Sequence, residues 1–210
     1  VSAQRIDTIV ANSKYIARRI QKFWNREASV IYSPVNIKRF YPAEPAKPRE
    51  DFYVAFSRLV PYKRIDLAIQ ACIELNKKLI VIGGGSEEKK LRAMAAGNDN
   101  IVFLGRASDE VLRDNLQRCK AMLFCAEEDF GLAPLEAQAC GAPVIAFGRG
   151  GACETVLDKK TGVFFPQQTV DSLKEAIVRF EELYTAGKFK EAAITAHAKT
   201  FSEERFISEF

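Results

Sequence analysis

Five short apolar runs recur from residue 52 onward: FYVAFS (52–57), KLIVIG (78–83), NIVFLG (100–105), AMLFCA (121–126) and PVIAFG (143–148). Segments with helical spacing lie between them, at 64–75, 86–96, 108–118 and 132–140. Runs of this length with little polar alternation predict strands buried on both faces. Such strands joined through helices require right-handed crossovers, and the product is a doubly wound parallel α/β sheet. Ligands of these sheets bind beyond the carboxyl ends of the strands. Functional residues are therefore expected in the loops 57–64, 83–86, 105–108, 126–132 and 148–154.

The two ends of the chain break this rhythm. Residues 7–12 and 29–33 predict short strands around a helix at 13–24. The stretch YPAEPAKPRED follows, and Pro42, Pro45 and Pro48 favour an extended linker there. Beyond 169 the chain turns helical and charged, ending in FSEERFISEF. Ser108 ahead of Asp109 and Val111 predicts a capped helix start.

Composition excludes several classes. A net charge of +4 over 210 residues is too mild to argue for a nucleic-acid partner. No apolar run approaches the roughly 20 residues that span a bilayer, and no signal-peptide pattern opens the chain. Cys72, Cys119, Cys125, Cys140 and Cys153 are odd in number and contain no CxxC pair, and four of them lie in apolar segments, which points to reduced, buried thiols in a cytosolic protein. The single histidine, His197, sits in a polar helical tail and is expected at the surface.

Anion chemistry concentrates in SRLVPYKR (57–64), where Arg58, Lys63 and Arg64 leave a buried strand just before a helix. Fixed cations beside free helical amides suit a diphosphate, with Arg58 as a planar fork and Lys63 as a compact charge. The loop GGGSEEKK (83–90) lacks GxGxxG spacing, and Glu87 and Glu88 occupy the helical turn that a pyrophosphate would need. Gly83 to Gly85 are expected mainly as a tight turn. In EEDFGLAPLEAQACGAPVIAFG (127–148), Gly131 and Pro134 mark a helix start. Glu136 is then placed to accept from a vicinal diol, and Glu128 from a second polyol. Acids beside a helix start also serve as caps, which would account for Glu128 or Asp129 without a ligand. A metal reading of the acidic run lacks supporting histidines or carboxylates, so no metal is expected.

The stretch EDFGLAPLEAQACGAPVIA closely resembles the E-x7-E motif of retaining glycosyltransferases of GT-B architecture, in the large family 4, glycosyl transferases group 1. The resemblance extends through FSRLVPYKRIDLAIQA, GGGSEEKKLR, NIVFLGRASDEVL and GRGGACETVLDKKTGVFF. Upstream it takes in DTIVANSKYIARRI and VIYSPVNIKRFYP, and it ends at FSEERF, so it covers nearly the whole chain. It implies a Rossmann-like domain, the C-terminal half of a GT-B fold, that binds a nucleotide-diphospho-sugar. Arg58 and Lys63 would hold the diphosphate, Glu136 the ribose and Glu128 the donor sugar. Main chain around Phe130, Gly131 and Leu132 would meet sugar hydroxyls and phosphate, the segment from Phe103 through Gly105 to Arg106 would lie by the base largely through main-chain contacts, and Gly150 and Gly151 would shape the facing loop. No metal cofactor is implied.

Ser57 departs from the family's usual glycine, SPVN replaces the commoner NGVD, and Arg64 stands where glycine often follows the lysine. On this resemblance residues 1–48 form an interdomain segment and linker left from an absent N-terminal acceptor domain. Residues 49–200 form the donor domain, and 201–210 a crossover helix. A UDP-hexose is the first expectation for the donor and GDP-mannose the next, with a glycan or lipid-linked acceptor and a role in polysaccharide assembly. The expected location is cytoplasmic, with peripheral attachment at the inner face of the membrane through the absent half. A non-catalytic nucleotide-sugar-binding or regulatory domain fits the same residues. A nicotinamide-dependent dehydrogenase lacks its fingerprint here.

Overall fold

The computed structural model describes residues 5–210. Its main sheet has six parallel strands: β3 (Tyr53–Phe56), β4 (Leu79–Ile82), β5 (Ile101–Gly105), β6 (Ala121–Phe124), β7 (Val144–Phe147) and β8 (Gly162–Phe165). Their order is β5-β4-β3-β6-β7-β8, so the chain builds outward one way from β3 and then the other way from β6. The five expected strands are present. The edge strand β8 is additional, and it pairs with β7 from Val144↔Gly162 to Phe147↔Phe165.

Strand parity divides the core in two. Tyr53, Ala55, Leu79, Val81, Leu123, Ile145 and Val163 pack on one face beneath α2 (Ile65–Glu74), α3 (Glu88–Met94) and α7 (Val170–Thr185). Val54, Ile80, Ile82, Met122, Phe124, Val144 and Ala146 pack on the other beneath α4 (Asp109–Arg118), α5 (Leu132–Ala139) and α8 (Glu191–Lys199). Both faces are covered, which is why the strands read as continuous apolar runs. As expected, Ser108 caps α4, accepting from the Val111 amide at 3.4 Å.

The N-terminal unit is β1 (Val10–Ala11), α1 (Lys14–Trp24) and β2 (Ser29–Val30), with β1 and β2 paired in parallel. It is joined to the main domain by buried contacts. Val35 and Phe40 belong to the core beneath α5 and α8, and the Val35 amide donates to the Phe201 carbonyl at 2.8 Å. Residues 41–52 carry no regular structure, yet Arg49 pins them by donating to the carbonyls of Leu116, Cys119 and Cys140. A one-turn α6 (Ala152–Thr155) precedes β8, and α9 (Glu203–Glu209) closes the described chain.

Cys72, Cys119, Cys125 and Cys140 are buried, and burial pushes each thiol well above its ordinary range. His197 corrects the surface expectation. It is half-buried, its Nε2 lies 3.1 Å from the Thr155 carbonyl oxygen, and its ring meets Phe201 edge-on. No described helix is long and apolar enough to cross a membrane.

Phe165, fully buried in β8, packs its ring 5.5 Å from Phe147. Truncation there, Phe165→Ala, is expected to cost about 3–5 kcal/mol in urea unfolding, because the cavity opens in a close-packed layer. A loss below about 1 kcal/mol would show that the edge strand adds little to the core.

Candidate functional site

The strand order reverses between β3 and β6, so the loops leaving these neighbours diverge and open a crevice at their carboxyl ends. Residues 57–64 form one wall and residues 125–131 the other. Each wall lies against glycine backbone. The carbonyl oxygen of Ser57 is 1.8 Å, and that of Leu59 2.3 Å, from where a Cβ on Gly83 or Gly85 would stand. These two glycines therefore serve chiefly as a bed for the neighbouring loop, beyond the tight turn expected of them. Gly150 and Gly151 do the same opposite: a Cβ on either would lie 2.4 Å from the Glu128 carbonyl oxygen or 2.2 Å from Phe130 Cα.

The acidic run Glu127-Glu128-Asp129 spreads to three partners. Glu127 accepts from the Tyr15 hydroxyl at 2.8 Å. Asp129 pairs with Arg19 at 2.8 Å, and its carbonyl accepts from the Ser13 hydroxyl at 2.5 Å. Glu128 reaches across the crevice, where it forms an ion pair with Lys63, and all three acids border the same hollow. None of the three caps α5. Its start is Gly131, in the left-handed region at φ 91° with no side-chain cap, so the first-turn amides of Leu132 and Ala133 have no capping side chain.

The cations are arranged unequally. Lys63 is mostly buried, and burial, with Arg58 nearby, holds its ammonium below the ordinary lysine range while Glu128 favours the charge. Arg58 is exposed, and its guanidinium forms no hydrogen bond or ion pair with another described residue. Arg64 does not join them. It takes the left-handed conformation at φ 52° and folds back on Asp66, with contacts of 3.1–3.3 Å.

Two hollows flank this line of charge. One of about 470 Å³ is bordered by Asn12, Ser33, Tyr62, Glu128, Gly131 and Leu132. The other, about 610 Å³, lies over the ends of β3, β4 and β5, with Arg58, Gly83 to Gly85, Arg106 and Ala107 on its border. Glu136 borders neither hollow. It sits one turn into α5, largely buried, and its carboxylate forms no hydrogen bond or ion pair with another described residue. Burial lifts its pKa to about 7, against the pull of Arg39, with Asp109 adding to the rise.

The other expected residues separate by role. Phe130 is buried against Tyr32 and Phe201, which leaves only its main chain for a ligand. Phe103 packs against the core with the Arg92 guanidinium 4.7 Å above its ring, so its side chain does not enter the cleft. Strand parity carried that signal, since Phe103 pairs with inward-facing Val81. Gly105 ends β5 and accepts from the Gly83 amide at 2.7 Å. Asn12, Ser33 and Tyr62 escaped the sequence reading; the first two reach the crevice from the N-terminal unit. Among the described residues no group of three or more His, Cys, Asp or Glu side chains is placed to hold a metal ion.

Two parallel loops, one cationic and one acidic, thus meet at a switch point above a six-stranded sheet. Residues 37–198 match the family model described as "Glycosyl transferases group 1". The chain belongs to that family. A GDP-mannose-dependent monoacylated alpha-(1-6)-phosphatidylinositol monomannoside mannosyltransferase of Corynebacterium glutamicum is 32% identical over 200 residues, covering 82% of this chain and 52% of that protein. An uncharacterized glycosyltransferase of Methanocaldococcus jannaschii is 30% identical over 175 residues, covering 82% of this chain and 49% of that one. This chain therefore spans about half the length of the curated family relatives it matches. Sucrose-phosphate synthase from Thermosynechococcus elongatus superimposes with a TM-score of 0.86 at 22% identity, covering 98% of this chain and 57% of the other. Anabaena Alr3699/HepE in complex with UDP and glucose does so at 0.80 and 22%, covering 96% and 60%. The fold is that of the C-terminal half of GT-B transferases.

A lifted carboxyl pKa makes folding weaker as pH rises. The folded Glu136 keeps its proton until about 7, whereas the unfolded group releases it near 4.5, so stability is lost across that window. Glu136→Gln is expected to match the parent at pH 4 and to exceed it at pH 8 by on the order of 1–3 kcal/mol. Equal stability at both pH values, measured by denaturant unfolding, would show that the carboxylate is satisfied in the fold.

Proposed function

We propose that this chain is the donor-binding half of a retaining glycosyltransferase that moves a hexose from a uridine- or guanosine-diphosphate sugar to a glycan or lipid-linked acceptor. The observation that carries the proposal is the Lys63–Glu128 pair at the switch point, with the unpaired Arg58 beside it. A site that pairs its own cation with its own carboxylate is matched to a ligand bringing both an anion and hydroxyls. The diphosphate takes Lys63 and Arg58, and Glu128, released, accepts from the sugar. The family resemblance gives the ribose diol to Glu136, which lies one turn behind the hollows in α5, and the uncapped amides at the start of α5 donate to sugar or phosphate oxygens. The Corynebacterium relative is named for GDP-mannose, and the Anabaena structure holds UDP and glucose; both names support a nucleotide-sugar donor.

In the reaction the bond from the anomeric carbon to the diphosphate oxygen breaks, and its electrons leave with the nucleotide. Arg58 and Lys63 stabilise the charge gathering on that oxygen. The acceptor hydroxyl forms the new bond on the same face and gives its proton to the departing phosphate. Glu128 stabilises the positive charge that develops at the sugar ring.

Calorimetric titration with UDP, GDP, ADP and NAD, with and without magnesium, tests this reading. Metal-independent binding of a nucleoside diphosphate is expected, weakened in Arg58→Ala by roughly tenfold to a hundredfold, as for a lost charge-assisted hydrogen-bond pair. Glu128→Gln removes the competitor for Lys63, so the free nucleoside diphosphate is expected to bind more tightly to it than to the parent. Absence of binding by every nucleoside diphosphate sinks the proposal, as does near-normal sugar transfer by the Arg58→Ala, Lys63→Ala double variant of the whole enzyme.

A further inference from the structure

The larger hollow has two ends of different chemistry. Arg58 stands toward the switch point, while Arg106 stands over Gly84 at the far side. Phe56, Val60, Ile82 and Ala107 give it apolar walls, suited to a flat neutral ring. Arg106 Cγ and Nε lie 3.4 Å, and Glu88 Oε2 3.5 Å, from the same point, where a Cβ on Gly84 would stand. Arg106 borders the hollow and Glu88 stands just behind that border, the two meeting across Gly84 with no ion pair between them among the described residues. Arg106 forms no hydrogen bond or ion pair with any other described side chain. Glu88 is held from behind by Arg92, whose Nε donates to it at 3.0 Å, and Arg92 in turn rests on the Phe103 ring.

We infer that Arg106 and Glu88 form a guanine-selective base site, so the donor is a guanosine-diphosphate sugar. The inference rests on the donor-half reading. The carboxylate of Glu88 excludes phosphate from this end, so the diphosphate lies toward Arg58 and Lys63 and the base toward Gly84. Guanine offers two adjacent acceptors, O6 and N7, which the arginine fork meets with two parallel donors. It also offers two adjacent donors, N1–H and N2–H, which one carboxylate accepts together. Uracil presents one acceptor and one donor on the corresponding edge and gains about half of these bonds. Adenine turns an N6–H donor toward the arginine, where neither group accepts. This order reverses the expectation of a UDP-hexose first and GDP-mannose next.

The test is calorimetric titration of the chain with GDP, UDP and ADP, repeated on Arg106→Lys, which keeps the charge without the fork, and on Glu88→Gln. GDP is expected to bind the parent at least about tenfold more tightly than UDP, the discrimination of a bidentate arginine–guanine pair. The ratio of GDP to UDP affinity should fall to about one in Arg106→Lys and drop in Glu88→Gln as well. UDP binding as tightly as GDP, or a GDP preference that survives in both variants, overturns the base assignment and leaves the donor-half reading standing. Failure of all three nucleotides to bind overturns both.

Discussion

The ion pair between Lys63 and Glu128 joins the two loops on which the site depends. Those loops depart from adjacent strands toward opposite ends of the sheet, and nothing in the strands themselves would hold them face to face. Placing two partly buried charges together has a desolvation cost that mutual attraction offsets only when the geometry is good. Here each partner is pressed into place by backbone resting on glycine: Gly83 and Gly85 beneath the cationic loop, Gly150 and Gly151 beneath the acidic one. The charges are held by the chain, and they in turn fix how wide the crevice stands before a ligand enters.

That arrangement explains why a helix start carrying three nearby acids has no side-chain cap. Acids usually satisfy the amides of the first turn themselves. In this fold the outer two are drawn aside by Tyr15 and Arg19 and the middle one by Lys63. The amides ahead of Pro134 keep no side-chain cap, and the dipole they carry is free to act on whatever occupies the hollow.

Much of the fold was legible because buried parallel strands leave a plain mark: short apolar runs bracketed by helical spacing. The start of α5 was equally readable from Gly131 and Pro134. The edge strand β8 was not, since it opens on Gly162, spans four residues and follows a helix of only one turn. Within the site, the residues on the 57–64 and 126–132 loops could be placed by their position after strands. The directions of the Phe130 and Phe103 side chains could not, because motif position says nothing about which way a side chain points. Asn12, Ser33 and the partners of Glu127 and Asp129 were out of reach for another reason. They meet the crevice across about a hundred residues of chain, and no local pattern encodes such a contact.

The docking of α1 bears on how the chain should be divided. The proline-bearing stretch after Tyr41 is the natural place to cut if the first forty residues are taken as a detachable lead-in. Glu154 argues against the cut: its two carboxylate oxygens accept from the Lys14 and Tyr15 amides at 2.8 Å and it also meets the Tyr32 hydroxyl at 3.1 Å. A fragment beginning after the prolines would strip Val35 and Phe40 from the core and leave Glu127, Asp129 and Glu154 as a cluster of unopposed negative charge. That cluster would adjoin Glu128, so the shortened piece would retain the sheet and carry excess negative charge along one wall of the crevice.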